Sequence, residues 1–193
     1  MSKKKVLGIY GSPRAEGNSD SLLDAALEGA RSAGARADRI YVRDLKMEGC
    51  RECGKCDRTG ECVVKDDMQK IYPLLKKAGT IFLASPVFFY GFPGGLKALI
   101  DRAQALWAGK NLTKSKGLKA GKGYLLAVGA TRGKNLFAGI ELTARYFFEA
   151  LDRKYEGGLM IREVEGRNAV KSGPEWLDQA FLLGKQAAEK RCP

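Results

Sequence analysis

Short apolar runs alternate with amphipathic stretches along the whole chain. VLGIY (6–10) is β-branched and aromatic and closes on Gly-Ser-Pro, which predicts a buried strand. Leu22, Leu23, Ala26, Leu27 and Ala30 then recur at helical spacing on one face, and Gly34 offers a stop. RIYVRDL (39–45) alternates like a second strand. Asp66 or Asp67 can cap a helix that turns Met68, Ile71, Leu74 and Leu75 inward, with Pro73 expected to kink or split it. TIFLAS (80–85) predicts a third strand, followed by one helical stripe of Leu96, Leu99, Ile100, Ala103 and Leu106. GYLLAVG (123–129) predicts the fourth strand, residues 136–152 the fourth helix and LMIREV (159–164) the fifth strand. Pro174 sits at a first helical position and opens a last helix through Trp176, Leu177, Ala180, Phe181 and Ala187.

Strands that alternate with helices in this way form a parallel sheet covered on both faces by right-handed crossovers. Strands apolar along their length agree with such burial. The expected fold is α/β, a flavodoxin-like three-layer sandwich with strand order 2-1-3-4-5, and its ligand lies at the carboxyl ends of the strands. Neither a repeat nor a low-complexity linker interrupts the 193 residues, so one domain over 1–193 is expected.

With 45% hydrophobic and 29% charged residues, the composition is that of a globular protein. The apolar runs are too short to span a bilayer. Lysines precede the first strand, but no small-residue cleavage site follows, and a cytoplasmic location is expected. The chain has no histidine, which excludes Ser-His and Cys-His nucleophile pairs and His-ligated zinc catalysis. Chemistry then falls to carboxylates, lysines, thiols or a bound cofactor. The net charge is +12, and GKNLTKSKGLKAGK (109–122) holds lysines without an acid. That stretch is either a solvated loop or a docking face for an acidic partner. It lacks aromatics for base stacking, so a small redox protein suits it better than nucleic acid.

Three loops at strand ends carry the candidate chemistry. GSPRAEGNS (11–19) is neither a dinucleotide fingerprint nor a Walker loop. It offers the Ser12 and Ser19 hydroxyls, the Asn18 amide, the Arg14 fork and the N–H groups of a helix start, a donor set suited to a phosphate monoester. An N-cap with a Gly/Pro turn is the plainer explanation. SPVFFYGFPGG (85–95) combines aromatics with glycines, which together can form an apolar shelf and close N–H donors for a flat ring. ATRGKN (130–135) adds Thr131, Arg132 and Gly133 on the same rim.

A cysteine-rich loop spans 47–65, where Cys50, Cys53, Cys56 and Cys62 follow the spacing C-x2-C-x2-C-x5-C. In a reducing cytosol such clusters bind metal or do redox work more often than they form disulfides. Three evenly spaced thiols can wrap one corner of a cube and the fourth closes it, with Gly54 and Gly60 free to adopt positive φ. Zinc is less suited, because structural zinc sites usually bring two separated pairs together. Cysteines that hold no metal are the third option. Cys192 has no assigned role.

GSPRAEGNS, the cysteine block with VVKDDM (63–68), and SPVFFYGFPGGLKALIDR (85–102) together resemble one family. It is the flavodoxin-like NADPH-dependent FMN reductases, in particular their iron–sulfur flavoprotein branch. The resemblance implies that Ser12, Arg14, Asn18 and Ser19 hold the FMN phosphate. Pro86, Val87, Phe88 and Phe89 would line the isoalloxazine ring, and Thr131, Arg132 and Gly133 would approach its other edge. It also implies a [4Fe-4S] cluster that exchanges electrons between a ferredoxin-like one-electron carrier and FMN, with a small-molecule acceptor. The chain departs from the family at Tyr90, where glycine is common, and in Phe92-Pro93-Gly94-Gly95. By analogy with related folds, a homodimer or homotetramer is expected. Two other functions compete: an NAD(P)H-dependent FMN or quinone reductase without a cluster, and a redox-responsive regulatory binding module. In the latter the phosphate loop and aromatic shelf would have no task.

Overall fold

The computed structural model describes residues 4–114 and 117–189. Strands β1 (Lys5–Tyr10), β2 (Arg36–Tyr41), β3 (Thr80–Pro86), β4 (Gly121–Val128) and β5 (Arg153–Ile161) pair in parallel, in the order β2-β1-β3-β4-β5. This is the expected topology. The helices are α1 (Asn18–Ser32), α2 (Lys55–Thr59), α3 (Met68–Lys77), α4 (Gly94–Arg102), α5 (Gln104–Asn111), α6 (Ala138–Ala150) and α7 (Pro174–Glu189).

The central strands feed two cores, because successive side chains leave a strand on opposite faces. Leu7, Ile9, Ile81, Leu83, Leu125 and Ala127 join the core under α3 to α6. Val6, Tyr10, Phe82, Ala84, Tyr124 and Leu126 join the core under α1 and α7. Two-sided burial explains why these strands read as unbroken apolar runs. The predicted inner face of α1, from Leu22 to Ala30, is fully buried. Gly29 and Gly184 lie where α1 and α7 cross; a Cβ on either would overlap the partner helix's backbone.

Several boundaries differ from expectation. β2 ends at Tyr41, and Val42–Asp44 form a 3-10 turn instead of more strand. β5 starts at Arg153, before the predicted 159. It is an edge strand of alternating exposure, so RKYEGG carries little apolar signal. The single helical stripe at 96–106 is two helices that meet at Ala103. The break follows directly on Arg102, whose side chain is buried. α3 runs through Pro73 unbroken. The Pro73 ring is exposed, so water can satisfy the carbonyl that loses its helical bond. Cys192 and Lys116 lie outside the described residues.

Candidate functional site

The carboxyl ends of β1, β3 and β4 enclose a cleft of about 410 Å³. Seven of the expected residues line it: Ser12, Arg14, Asn18, Ser19, Pro86, Val87 and Phe88. No side chain caps α1 at Gly17, so its leading N–H groups are available to an anion in the cleft. The Ser12 hydroxyl oxygen accepts the Arg14 amide at 3.1 Å, which shapes the loop.

Besides lining the cleft, the Asn18 side chain ties in a distant segment. Its Nδ2 donates to the Gly166 carbonyl (2.8 Å) and its Oδ1 accepts the Val170 amide (3.1 Å). It thereby draws in the segment after β5, and Val164, Glu165, Gly166 and Arg167 become a wall of the cleft. Sequence reasoning missed this wall, since a fragment such as EGRN (165–168) carries no local signature. It also missed Arg43, which lies in the stretch read as strand. The 3-10 turn aims Arg43 at the Asp20 carboxylate (2.9 Å) and at the Ser12 and Arg14 carbonyls (both 3.5 Å). Burial pushes the Asp20 carboxyl up, and Arg43 opposes that rise. The cradle is thus braced from beneath by an ion pair.

After β3 the chain makes a tight turn, with Phe88 and Gly91 exchanging backbone bonds of 3.0 and 2.8 Å. Phe89 and Tyr90 inside it both have positive φ, 46° and 61°. Such turns favour Asn-Gly, so this aromatic pair is strained. The left-handed φ at Tyr90 also explains why a glycine suits that position. Phe89 points wholly into solvent and does not line the cleft, unlike Pro86, Val87 and Phe88. The Tyr90 hydroxyl packs over Gly133 and its carbonyl over Gly139, so the loops after β3 and β4 brace each other.

Thr131, Arg132 and Gly133 do not line the cleft either; Gly129 and Ala130 do so in their place. Gly129 donates its amide to Ile161 at the end of β5 (2.9 Å), and its carbonyl accepts the amide of Val164 just beyond that strand (3.1 Å). The chain beyond it turns outward, and Arg132 pairs with Glu163 at the surface.

The thiol loop forms a second cavity, of about 590 Å³, lined by Cys50, Cys53, Cys56 and Cys62 together with Arg102 and Gln104. α2 lies between Gly54 and Gly60, whose φ values of 65° and 70° use the freedom expected of them. Cys50 and Cys53 are exposed, Cys56 and Cys62 half-buried, and all four are free thiols. Burial raises the Cys56 thiol, with Asp57 and then the neighbouring Cys50 and Cys62 adding to it. Among the described residues, no three cysteines or carboxylates converge tightly enough to hold a single metal ion. The thiols surround a space, not a point.

Neighbouring polar groups fasten this loop. Asp67 accepts the Lys46 amide (2.8 Å), and Asp66 accepts the Glu48 amide (2.9 Å) and the guanidinium of Arg102 (2.8 and 3.1 Å). Burial would raise the Asp66 carboxyl, but these bonds outweigh it and hold it below the usual carboxylate range. The Tyr72 hydroxyl donates to the Arg102 carbonyl (2.9 Å), and burial, then nearby Cys62, push that hydroxyl's pKa up. The two cavities share no lining residue. α4 connects their walls, starting after the Phe88–Gly91 turn and ending at Arg102. At 1.5 Å per residue it is about 13 Å long.

Comparisons with known proteins agree with this geometry. The profile of the NADPH-dependent FMN reductase family matches residues 4–148. An iron-sulfur flavoprotein of Methanosarcina thermophila is 37% identical over 128 residues, 66% of this chain and 64% of its own. One from Archaeoglobus fulgidus is 38% identical over 51% of this chain and 44% of its own. The chain thus matches less than two thirds of the length of these two relatives. A third, from Methanocaldococcus jannaschii, is 35% identical over 96% of both chains. Among solved structures, an NAD(P)H:quinone oxidoreductase from Methanothermobacter marburgensis superimposes with a TM-score of 0.72. At 17% identity, over 100% of this chain and 99% of its own, that likeness speaks for the fold alone. Fold, strand-end cleft and family profile coincide over most of the chain, which belongs to the NADPH-dependent FMN reductase family.

Proposed function

We propose that this protein is a flavin-dependent oxidoreductase, an iron–sulfur flavoprotein that passes electrons between an acidic one-electron carrier, a [4Fe-4S] group on Cys50, Cys53, Cys56 and Cys62, and FMN. The observation that carries the proposal is the gathering of all four thiols around one cavity, on a sheet whose strand ends also build an anion-binding cleft. The cleft suits FMN. Ser12, Ser19, Arg14 and the α1 N-terminus offer donors to a phosphate, while Pro86, Val87, Phe88 and Val128 supply apolar wall for a ring. Bound there, FMN would supply the redox chemistry, and the protein would position it and hold its charge. The spacing favours a polynuclear group over zinc, because structural zinc sites usually bring two separated pairs together, whereas three of these cysteines are evenly spaced. Three relatives that are named iron-sulfur flavoproteins support the same conclusion.

The family's name makes NAD(P)H the competing electron donor, in a protein without a cluster. Anaerobic purification with iron, sulfide and flavin quantified against protein separates the two. A cluster-bearing protein is brown, with broad absorption near about 400 nm; a simple flavoprotein is yellow. Flavin present with iron and sulfide at background overturns the cluster.

The carrier's docking face is only partly the lysine stretch at 109–122. Lys110 is paired with Asp152 and Lys122 is buried. Lys119 instead joins Lys4, Lys5, Lys76 and Lys77 around a basin of about 470 Å³. Lys76 and Lys77 also line the neighbouring cavity, whose lining includes Cys62. Reversing charge with Lys76→Glu and Lys77→Glu will slow reduction by an acidic ferredoxin about tenfold at low salt. Reduction by photoreduced 5-deazariboflavin, a neutral donor, will stay unchanged. Equal ferredoxin rates in both proteins would place the docking face elsewhere.

Four free thiols suit a reducing compartment, which supports a cytoplasmic location. Among the described residues, no helix is long and apolar enough to cross a membrane. Leu142 and Tyr146 on α6 are exposed, as are Phe89 and Tyr90 in the turn that packs against that helix at Gly139. This apolar strip supports a homodimer or homotetramer.

A further inference from the structure

Arg102 is 1% exposed, an unusual place for a guanidinium. One of its terminal nitrogens donates to the Glu48 carbonyl (2.9 Å), two residues before Cys50, and to one Asp66 oxygen (2.8 Å). The other reaches the second Asp66 oxygen (3.1 Å) and the Val64 carbonyl (3.4 Å), two residues after Cys62. One side chain therefore holds both ends of the cysteine segment. Its Nε is buried and has no partner among the described residues. Arg102 lines the thiol cavity whereas Asp66 does not, so the positive end of the ion pair is the end nearer the sulfurs.

We propose that Arg102 is the positioning residue of the thiol cavity: it clamps the 47–65 loop at both ends and sets a fixed positive charge against the group the thiolates hold. The clamp stands on hydrogen bonds alone; the charge effect rests on the iron–sulfur function proposed above. A group with four thiolate ligands is anionic and gains one more negative charge when it takes an electron from the carrier, which is oxidised by one electron in turn. A cation in a low-dielectric wall stabilises the reduced form more than the oxidised one, and so raises the potential. Lysine would keep the charge but lose the fork that reaches two carbonyls and a carboxylate at once.

Two measurements on the full chain test the two parts. The variant Arg102→Gln with Asp66→Asn removes the ion pair without stranding a carboxylate. In the metal-free protein, amide hydrogen exchange over 47–65 is expected to quicken about tenfold or more, while β1 and β3 keep their protection. Unchanged exchange in the loop overturns the clamp. In the anaerobically reconstituted protein, redox titration followed by electron paramagnetic resonance is expected to show a tenfold shift toward the oxidised group. That is about 59 mV lower for a one-electron couple. An unchanged potential at equal iron content overturns the charge effect. Arg102→Lys is expected to keep the potential yet lose the loop protection. Should the double variant fail to protect β1 and β3, this single variant decides both parts, and native-like protection in it overturns the clamp. A native protein that assembles no iron–sulfur group refutes the proposed cluster instead, and the exchange measurement still judges the clamp.

Discussion

With the proposed cluster in the thiol cavity, replacing Cys53 by serine will abolish iron binding there and leave FMN in place. A serine hydroxyl is a poor substitute for a thiolate, since its oxygen is hard and protonated at neutral pH where iron–sulfur ligation calls for soft sulfur. Cys53 sits immediately before Gly54, the left-handed residue from which α2 starts, so its sulfur is fixed by backbone that cannot shift a neighbour into its role. The exposed Cys50 cannot serve twice. Because the two cavities share no lining residue, the flavin cleft should not register the change. Measured as iron, sulfide and flavin per chain after anaerobic purification, iron and sulfide should fall to near background at constant flavin. Equal iron in both proteins would remove the cluster from this site. Parallel loss of flavin would show that the cavities are coupled more tightly than their walls indicate.

Arg14→Ala will weaken FMN binding about tenfold to a hundredfold, as expected for a charge-assisted pair of bonds to phosphate. Arg14 is the one cation of the first loop, and its backbone is already committed: the amide to Ser12 and the carbonyl to Arg43. Losing the side chain therefore removes the proposed phosphate ligand and leaves the loop's frame standing. Riboflavin supplies the control, since it has the ring without the phosphate. Titration of the flavin-free protein, followed by fluorescence, should show the loss for FMN and almost none for riboflavin. Equal weakening for both flavins would mean that the loop has collapsed. No weakening for FMN would move the phosphate site to Arg167 and the α1 N-terminus.

Much of the site was readable where one peptide segment holds both the chemistry and its geometry. The loop at 11–19 joins a buried strand to a helix start, so its donors could only gather at the strand ends. Pro86, Val87 and Phe88 follow β3 directly, and their direction is set by the strand they leave. The four cysteines lie within thirteen positions, too close for any fold to scatter them far. Phe89, by contrast, was expected at the ring through the resemblance to the family. Its φ of 46° points it outward, and side-chain chemistry alone does not reveal the turn. Thr131 to Gly133 lost their place because Gly129 bonds to β5, a pairing between segments more than thirty residues apart.

Periodicity and loop chemistry by themselves determined the parallel sheet, its order, the gathering of donors in the first loop and that of the thiols, because each depends on neighbours along the chain. Only tertiary structure decided what fastens them. Arg43 reaches back to Asp20, Asn18 recruits Gly166 and Val170, and Arg102 closes the cysteine loop through Glu48, Val64 and Asp66. In sequence Arg43 and Arg102 are ordinary polar residues of an alternating run and a helix, and Asn18 reads as a donor of the first loop. Their partners are distant in the chain and meet them only when the strands align. A guanidinium or amide gains its role from the carbonyls and carboxylates that burial places around it, and local sequence does not encode that company.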